Sequence, residues 1–274
     1  MPHLVFPAIL VLSALFVFGL LVGSFLNVVI LRFNTGMSIA RGRSGCFSCG
    51  KELGWRELIP LASFLAQRGK CKGCGSKISW QYPLVELSTG LCFVAAYARS
   101  DAPVEFLLWA ALLCFYVVIF AYDLRHKIIP DFFSYGAALI ALGIIFLGIG
   151  PSIGPGLHPL DFGLRILSGP LFFLFFWSLW SFSRGRWMGL GDGKLALSMG
   201  WALGLGQGLS AFLLSFWIGA AATLAIMALQ RVFRRSASLG MGSQVPFGPF
   251  MLVAFLIVYV LGLDFWTLIS YLAL

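Results

Sequence analysis

Residues 5–31 read VFPAILVLSALFVFGLLVGSFLNVVIL, an apolar run without one charge that stops at Arg32. As an α-helix this run would extend about 40 Å at 1.5 Å per residue, enough to cross a hydrocarbon core of about 30 Å. Further apolar runs follow at about 83–98, 104–122, 132–149, 164–182, 189–204, 209–229 and 246–263. Runs 83–98 and 189–204 are short for a crossing helix of about 20 residues. Each carries an acid near one end, Glu86 and Asp192, which points to contact with protein or a watery cleft rather than lipid. The closing stretch 265–274 is too short to cross and is expected at the interface. The first run has only His3 before it and a basic loop after it, so it reads as a retained span rather than a signal peptide.

The composition agrees with this reading. Of 274 residues, 60% are hydrophobic and 11% charged, and mean hydropathy is +0.95. Soluble domains carry about 25% charged residues. A soluble globule, a disordered chain and a fibrous repeat are therefore excluded. A transmembrane β-barrel would need polar residues at every second position, and the continuous apolar runs leave no room for them. The expected fold is an all-α polytopic membrane protein of about eight transmembrane helices, with a small cytoplasmic insert between the first two. The expected domains are 1–31 (first helix), 32–82 (cytoplasmic loop domain) and 83–274 (the remaining transmembrane part).

Nineteen Lys and Arg against ten Asp and Glu leave a net charge of +9. In an eight-span chain the basic residues of 32–82, 123–131, 183–194 and 230–245 fall on one side, and only Arg99 and Arg165 on the other. Cytoplasmic loops collect Lys and Arg, so the N-terminus is expected outside and the four basic loops in the cytoplasm. Topology accounts for the charge, and nucleic acid is not an expected partner.

Inside the first basic loop, residues 44–75 read SGCFSCGKELGWRELIPLASFLAQRGKCKGCG. Two C-x2-C pairs, Cys46/Cys49 and Cys71/Cys74, can bring four thiolates to one tetrahedral point suited to Zn²⁺. Gly50 and Gly75 follow each second cysteine, where a tight turn requires positive φ. Disulfides or free thiols are the alternatives, and a cytoplasmic loop disfavours the former. Four protein ligands leave no open position, so the site is expected to be structural. Cys92 and Cys114 read as buried apolar residues.

Two acidic motifs fall at the expected cytoplasmic boundary. One is FAYDLRHKIIPD, with Asp123 and Asp131; the other is MGLGDGKL, with Asp192. Ionisable groups at membrane depth are costly and mark function. Asp123 and Asp192 are expected at similar depth, where two carboxyls sharing a proton can activate water and protonate a leaving amine. Gly189, Gly191 and Gly193 would let backbone approach closely. The plainer alternatives are a polar end to a span for Asp123, a helix-dipole acid for Asp192 and an N-cap for Asp131. Glu86 is expected to pair with a loop cation, and Asn27 to bond across helices or touch substrate.

Together these segments resemble the type IV prepilin peptidases, the prepilin leader peptidase/N-methyltransferases. The resemblance rests on Gly23-Ser-Phe-Leu-Asn-Val-Val29, the two cysteine pairs, Gln67-Arg-Gly-Lys-Cys71, Tyr82-Pro-Leu-Val-Glu86, Asp123 with Ile129-Pro-Asp131, Gly189-Leu-Gly-Asp192 and Pro246-Phe-Gly-Pro249. It implies a bacterial inner-membrane aspartic endopeptidase of the GxGD type, with Asp123 and Asp192 as the catalytic pair. The substrates implied are type IV prepilins or type II secretion pseudopilins, cut at the cytoplasmic leaflet. It further implies N-methylation of the new terminus from S-adenosylmethionine, with Gly69 and Lys70 in a segment linked to that step, and structural Zn²⁺ on the four cysteines. The sequence departs from the family at Arg56, where Asn usually precedes the Ile-Pro segment, and at Phe47, where proline is common. A transporter using the boundary aspartates as ion ligands is the rival; it would want its acids nearer the bilayer midplane.

Overall fold

The computed structural model describes residues 2–149, 159–232 and 245–272. Arg234 and Arg235 of the fourth basic loop lie outside the described residues. Regular structure among the described residues is helical, with two isolated bridges, Gly45 with Glu52 and Lys70 with Lys77. The helices are α1 (Pro2–Arg32), α2 (Ala62–Ala66), α3 (Gln81–Ala98), α4 (Pro103–His126), α5 (Asp131–Phe146), α6 (Pro159–Ser183), α7 (Leu190–Val232), α8 (Gly248–Leu261) and α9 (Phe265–Leu272). Among the described residues four stretches are long and apolar enough to cross a membrane: Ile9–Arg32, Pro103–His126, Leu160–Ser183 and Leu190–Gln230. Helices α5 and α8 are shorter and apolar. The chain forms two compact units, 1–121 and 122–274.

In the first unit α1 lies along α3 because both carry glycine where their backbones meet. A Cβ at Gly19 would sit 2.8 Å from Gly90 Cα, and one at Gly23 would sit 2.7 Å from Glu86 Cα. Gly19 and Gly23 make a G-x3-G step, a pattern that lets helices pack closely in membranes. Across this seam Asn27 Nδ2 donates to the Tyr82 carbonyl at 3.1 Å. The buried Glu86 does not take a loop cation: its Oε2 accepts the Leu61 backbone N–H at 2.8 Å. Leu61 holds φ 57°, ψ −51°, a conformation costing on the order of 1–3 kcal/mol. The hydrogen bond to Glu86 holds the Leu61 amide in that conformation.

In the second unit the apolar runs 189–204 and 209–229 are joined in α7, whose helical path breaks at Gly204 (φ 75°, ψ −171°). A straight helix would separate residues 193 and 216 by about 35 Å. Yet the Phe176 ring stacks with Phe216 at 6.4 Å, and Phe176 Cβ lies 3.5 Å from a Cβ built on Gly193. The two arms of α7 therefore fold back on each other at Gly204, both against α6. Ser168 and Arg165 of α6 donate to the carbonyls of Gly200 (2.8 Å) and Ala202 (2.9 Å), just before the break. These donors satisfy helix-end groups that lipid could not.

Pro170 inside α6 has no N–H for the Ile166 carbonyl four residues back. Trp201 Nε1 takes its place and donates to Ile166 O at 2.8 Å. Gly169 and Gly200 permit this approach, each lying where a Cβ would collide with the facing helix. Phe176, Phe212, Phe216 and Phe247 pack as an aromatic cluster that anchors the residue before α8.

Candidate functional site

The two cysteine pairs fold as near copies of one knuckle. In the first, Gly50 N–H donates to Cys46 O (2.9 Å) and Cys46 N–H to Lys51 O (2.9 Å); in the second, Gly75 donates to Cys71 (2.9 Å) and Cys71 to Ser76 (2.8 Å). Gly50 and Gly75 sit at φ 71° and 73°, the left-handed turn expected of them. The four Sγ atoms lie within 4.8 Å of one another, with Cys46 and Cys74 3.9 Å apart. A tetrahedral Zn²⁺ with Zn–S near 2.3 Å would set its sulfurs about 3.8 Å apart. The four cysteines are unbridged, so the donor set and spacing fit one metal ion and the disulfide alternative is not taken. The Cys46 thiol is drawn down to about 6 by the backbone N–H groups of Cys49 and Ser48, and by the Ser76 hydroxyl. Cys74 is likewise lowered, chiefly by hydrogen bonds from Ser76.

Gly69 and Lys70 lead into the second knuckle. Gly69 holds φ 65°, and a Cβ there would lie 3.2 Å from the Phe64 ring. This is a turn packed on an aromatic ring, which is not by itself a cofactor cradle.

In the second unit, Asp123 lies three residues before the end of α4, and Asp192 in the first turn of α7. Both are buried, at 3% and 7% exposure. They are close enough for the charge of Asp123 to act on Asp192. Asp192 is the third residue of its helix, and its Oδ2 accepts the Gly189 N–H at 3.2 Å. An acid at this position commonly reaches back to the capping residue, so the helix-end role and a place beside Asp123 coexist. Among the described residues, Asp123 Oδ2 is buried without a hydrogen-bond partner.

Asp131 is the first residue of α5, and Pro130 holds the N-cap position expected of it. The Asp131 carboxylate instead takes Lys194 Nζ at 2.6 Å, and that ammonium also lies over the Tyr135 ring. Lys194, two residues past Asp192, is thereby engaged.

Sequence reasoning placed Pro246–Pro249 in a motif without a task. The structure brings Gly248 against Asp123: a Cβ there would lie 2.7 Å from Oδ2, and the Gly248 amide faces the carboxyl. Ile129 packs beside both segments. The signals that could have found them were the glycine between two prolines and the isoleucine before Pro130.

Comparisons with known proteins match most of the chain. The bacterial peptidase A24 N-terminal domain matches residues 17–100, and the type IV leader peptidase family matches residues 110–224. A prepilin leader peptidase/N-methyltransferase of Bacillus subtilis is 32% identical over 92% of this chain and 94% of its own length. One of Dickeya chrysanthemi is 31% identical over 91% of this chain and 92% of its own. One of Myxococcus xanthus is 46% identical over 48% of this chain and 39% of its own. No solved structure matches.

Proposed function

Since the chain belongs to the type IV leader peptidase family, we propose that it cleaves the leader of type IV prepilins or type II secretion pseudopilins and then methylates the new N-terminus. The observation that carries the peptidase reading is the pair of buried carboxyls, Asp123 and Asp192, held at two helix ends within each other's field. One carboxylate takes a proton from a water, whose oxygen attacks the scissile carbonyl. The other, protonated, stabilises the oxyanion and then donates to the leaving amine as the C–N bond breaks. The unpartnered Oδ2 of Asp123 suits an acceptor for such a water. Nothing in the comparisons supports the transporter reading.

The site of action follows from the apolar helices and the family: a bacterial inner membrane, crossed several times. The basic loops support an N-terminus outside, with the cysteine loop (within 32–82) and the aspartates (within 83–274) on the cytoplasmic side. A pilin-type substrate would lay its apolar helix in the bilayer and present the leader junction at that boundary.

Cys46, Cys49, Cys71 and Cys74 would hold Zn²⁺ as a structural cross-link of a loop with little core of its own. S-adenosylmethionine supplies the methyl group when bound. Gly69 and Lys70, beside the second knuckle, are the residues we associate with that activity, and Gly69→Ala is expected to lower methylation more than cleavage. The deciding experiment is cleavage of a prepilin in membranes by wild type, Asp123→Asn and Asp192→Asn. Cleavage surviving both substitutions would sink the aspartate mechanism.

A further inference from the structure

We propose that Ile129 is a positioning residue that sets the spacing of the two aspartates, acting as a rigid apolar spacer between the backbones that carry and flank them. The proposal rests on the reading of Asp123 and Asp192 as the catalytic pair.

Ile129 lies in the link between α4 and α5 and is 8% exposed. Its Cβ is 3.0 Å from the position a Cβ would take on Gly191, the residue before Asp192. Its Cδ1 is 3.1 Å from the corresponding position on Gly248, whose missing side chain leaves the room that Asp123 Oδ2 occupies. One side chain therefore fills the space between both glycine faces. A β-branched residue suits this role, because its χ1 is restricted.

The link is stiff from both ends. Lys127 holds φ 55°, and its N–H closes α4 on the Asp123 carbonyl at 2.7 Å. Pro130 restricts the backbone of Ile129 to extended conformations. The next residue, Asp131, is tied to Lys194 of α7 at 2.6 Å. A closed circuit thus runs from Asp123 through Ile129 and Asp131 to Lys194 and Asp192. The spacer sits where a change of size moves one carboxyl against the other.

The test uses the full chain reconstituted in phosphatidylethanolamine–phosphatidylglycerol vesicles with a prepilin substrate. Ile129→Val deletes only the Cδ1 that reaches Gly248 and is expected to lower kcat about threefold. Ile129→Ala removes the spacer and is expected to lower kcat about 30-fold, since displacements near 1 Å can cost about 100-fold. In both, KM stays within about threefold and metal content and methylation of a pre-cleaved substrate stay near wild type, while the melting temperature falls in Ile129→Ala as for any buried truncation. Wild-type kcat in Ile129→Ala overturns the proposal while Asp123→Asn remains inactive. So does a fall in kcat matched by an equal fall in methylation, which would make Ile129 ordinary packing. Cleavage by Asp123→Asn instead removes the reading on which the proposal rests.

Discussion

The four-cysteine loop and the aspartate site are built in opposite ways. Each knuckle closes on itself through hydrogen bonds spanning four or five residues, and the same turn is used twice. The four thiols are the ends of local structure, so the sulfurs converge with little demand on the rest of the unit. The aspartate site has no local plan. Asp123 comes from the end of α4, Asp192 from the start of α7, and the surface against Asp123 from Gly248 at the start of α8. Its geometry is a property of helix packing, held by glycine faces, an aromatic cluster under Phe247 and one ion pair. A site of the first kind would fail by losing the metal it is built to hold; one of the second kind fails by displacement.

That contrast can be broken most sharply at the carboxyls. Asp123→Asn and Asp192→Asn should each lower cleavage by about 1,000-fold or more and leave metal content unchanged, measured on the same purified protein. A loss of metal in either would show that the regions are not independent. Gly248→Ala comes next. Its methyl would meet Asp123 Oδ2 at 2.7 Å, and a loss of about 100-fold in kcat is expected from displacement alone. Unchanged kcat would mean that the pair tolerates movement.

Cys46→Ser should act the other way round. Elemental analysis should show the metal lost, and limited proteolysis should show residues 33–80 opened, because folding of such loops is coupled to metal binding. Cleavage should stay within about tenfold of wild type if the metal is only structural. The smallest effect belongs to the exposed ion pair between Arg43 and Glu52 at 2.8 Å. Glu52→Gln should leave the midpoint of denaturant melts unchanged, because exposed ion pairs contribute little.

What could be read in advance follows the same line. The knuckles were legible because the cysteines that converge also define the pattern, down to the positive φ of Gly50 and Gly75. The helices were legible because lipid permits few other spanning structures, and the apolar runs 189–204 and 209–229 correspond to the two arms of α7. Asp123 and Asp192 could be singled out as costly charges. Their setting could not, because a glycine whose task is to admit another residue's carboxyl carries no mark of it. Glu86 shows the limit most plainly: an acid beside a basic loop suggests a cation, but the Leu61 amide reaches it first.

The reversal at Gly204 has a consequence for parity. The stretch Leu190–Gln230 is 41 residues long, about 60 Å as one rod, twice the thickness of the hydrocarbon it would enter. One residue with φ 75° and ψ −171° turns that rod into an out-and-back path, so the chain re-emerges on the side where Asp192 entered. The next helix then starts with Gly248 at the level of Asp123. With a side chain that resists this conformation at 204, the count of crossings would change by one, and Gly248 would be carried to the opposite face of the membrane. A single backbone angle thus decides whether Gly248 can meet Asp123 at all.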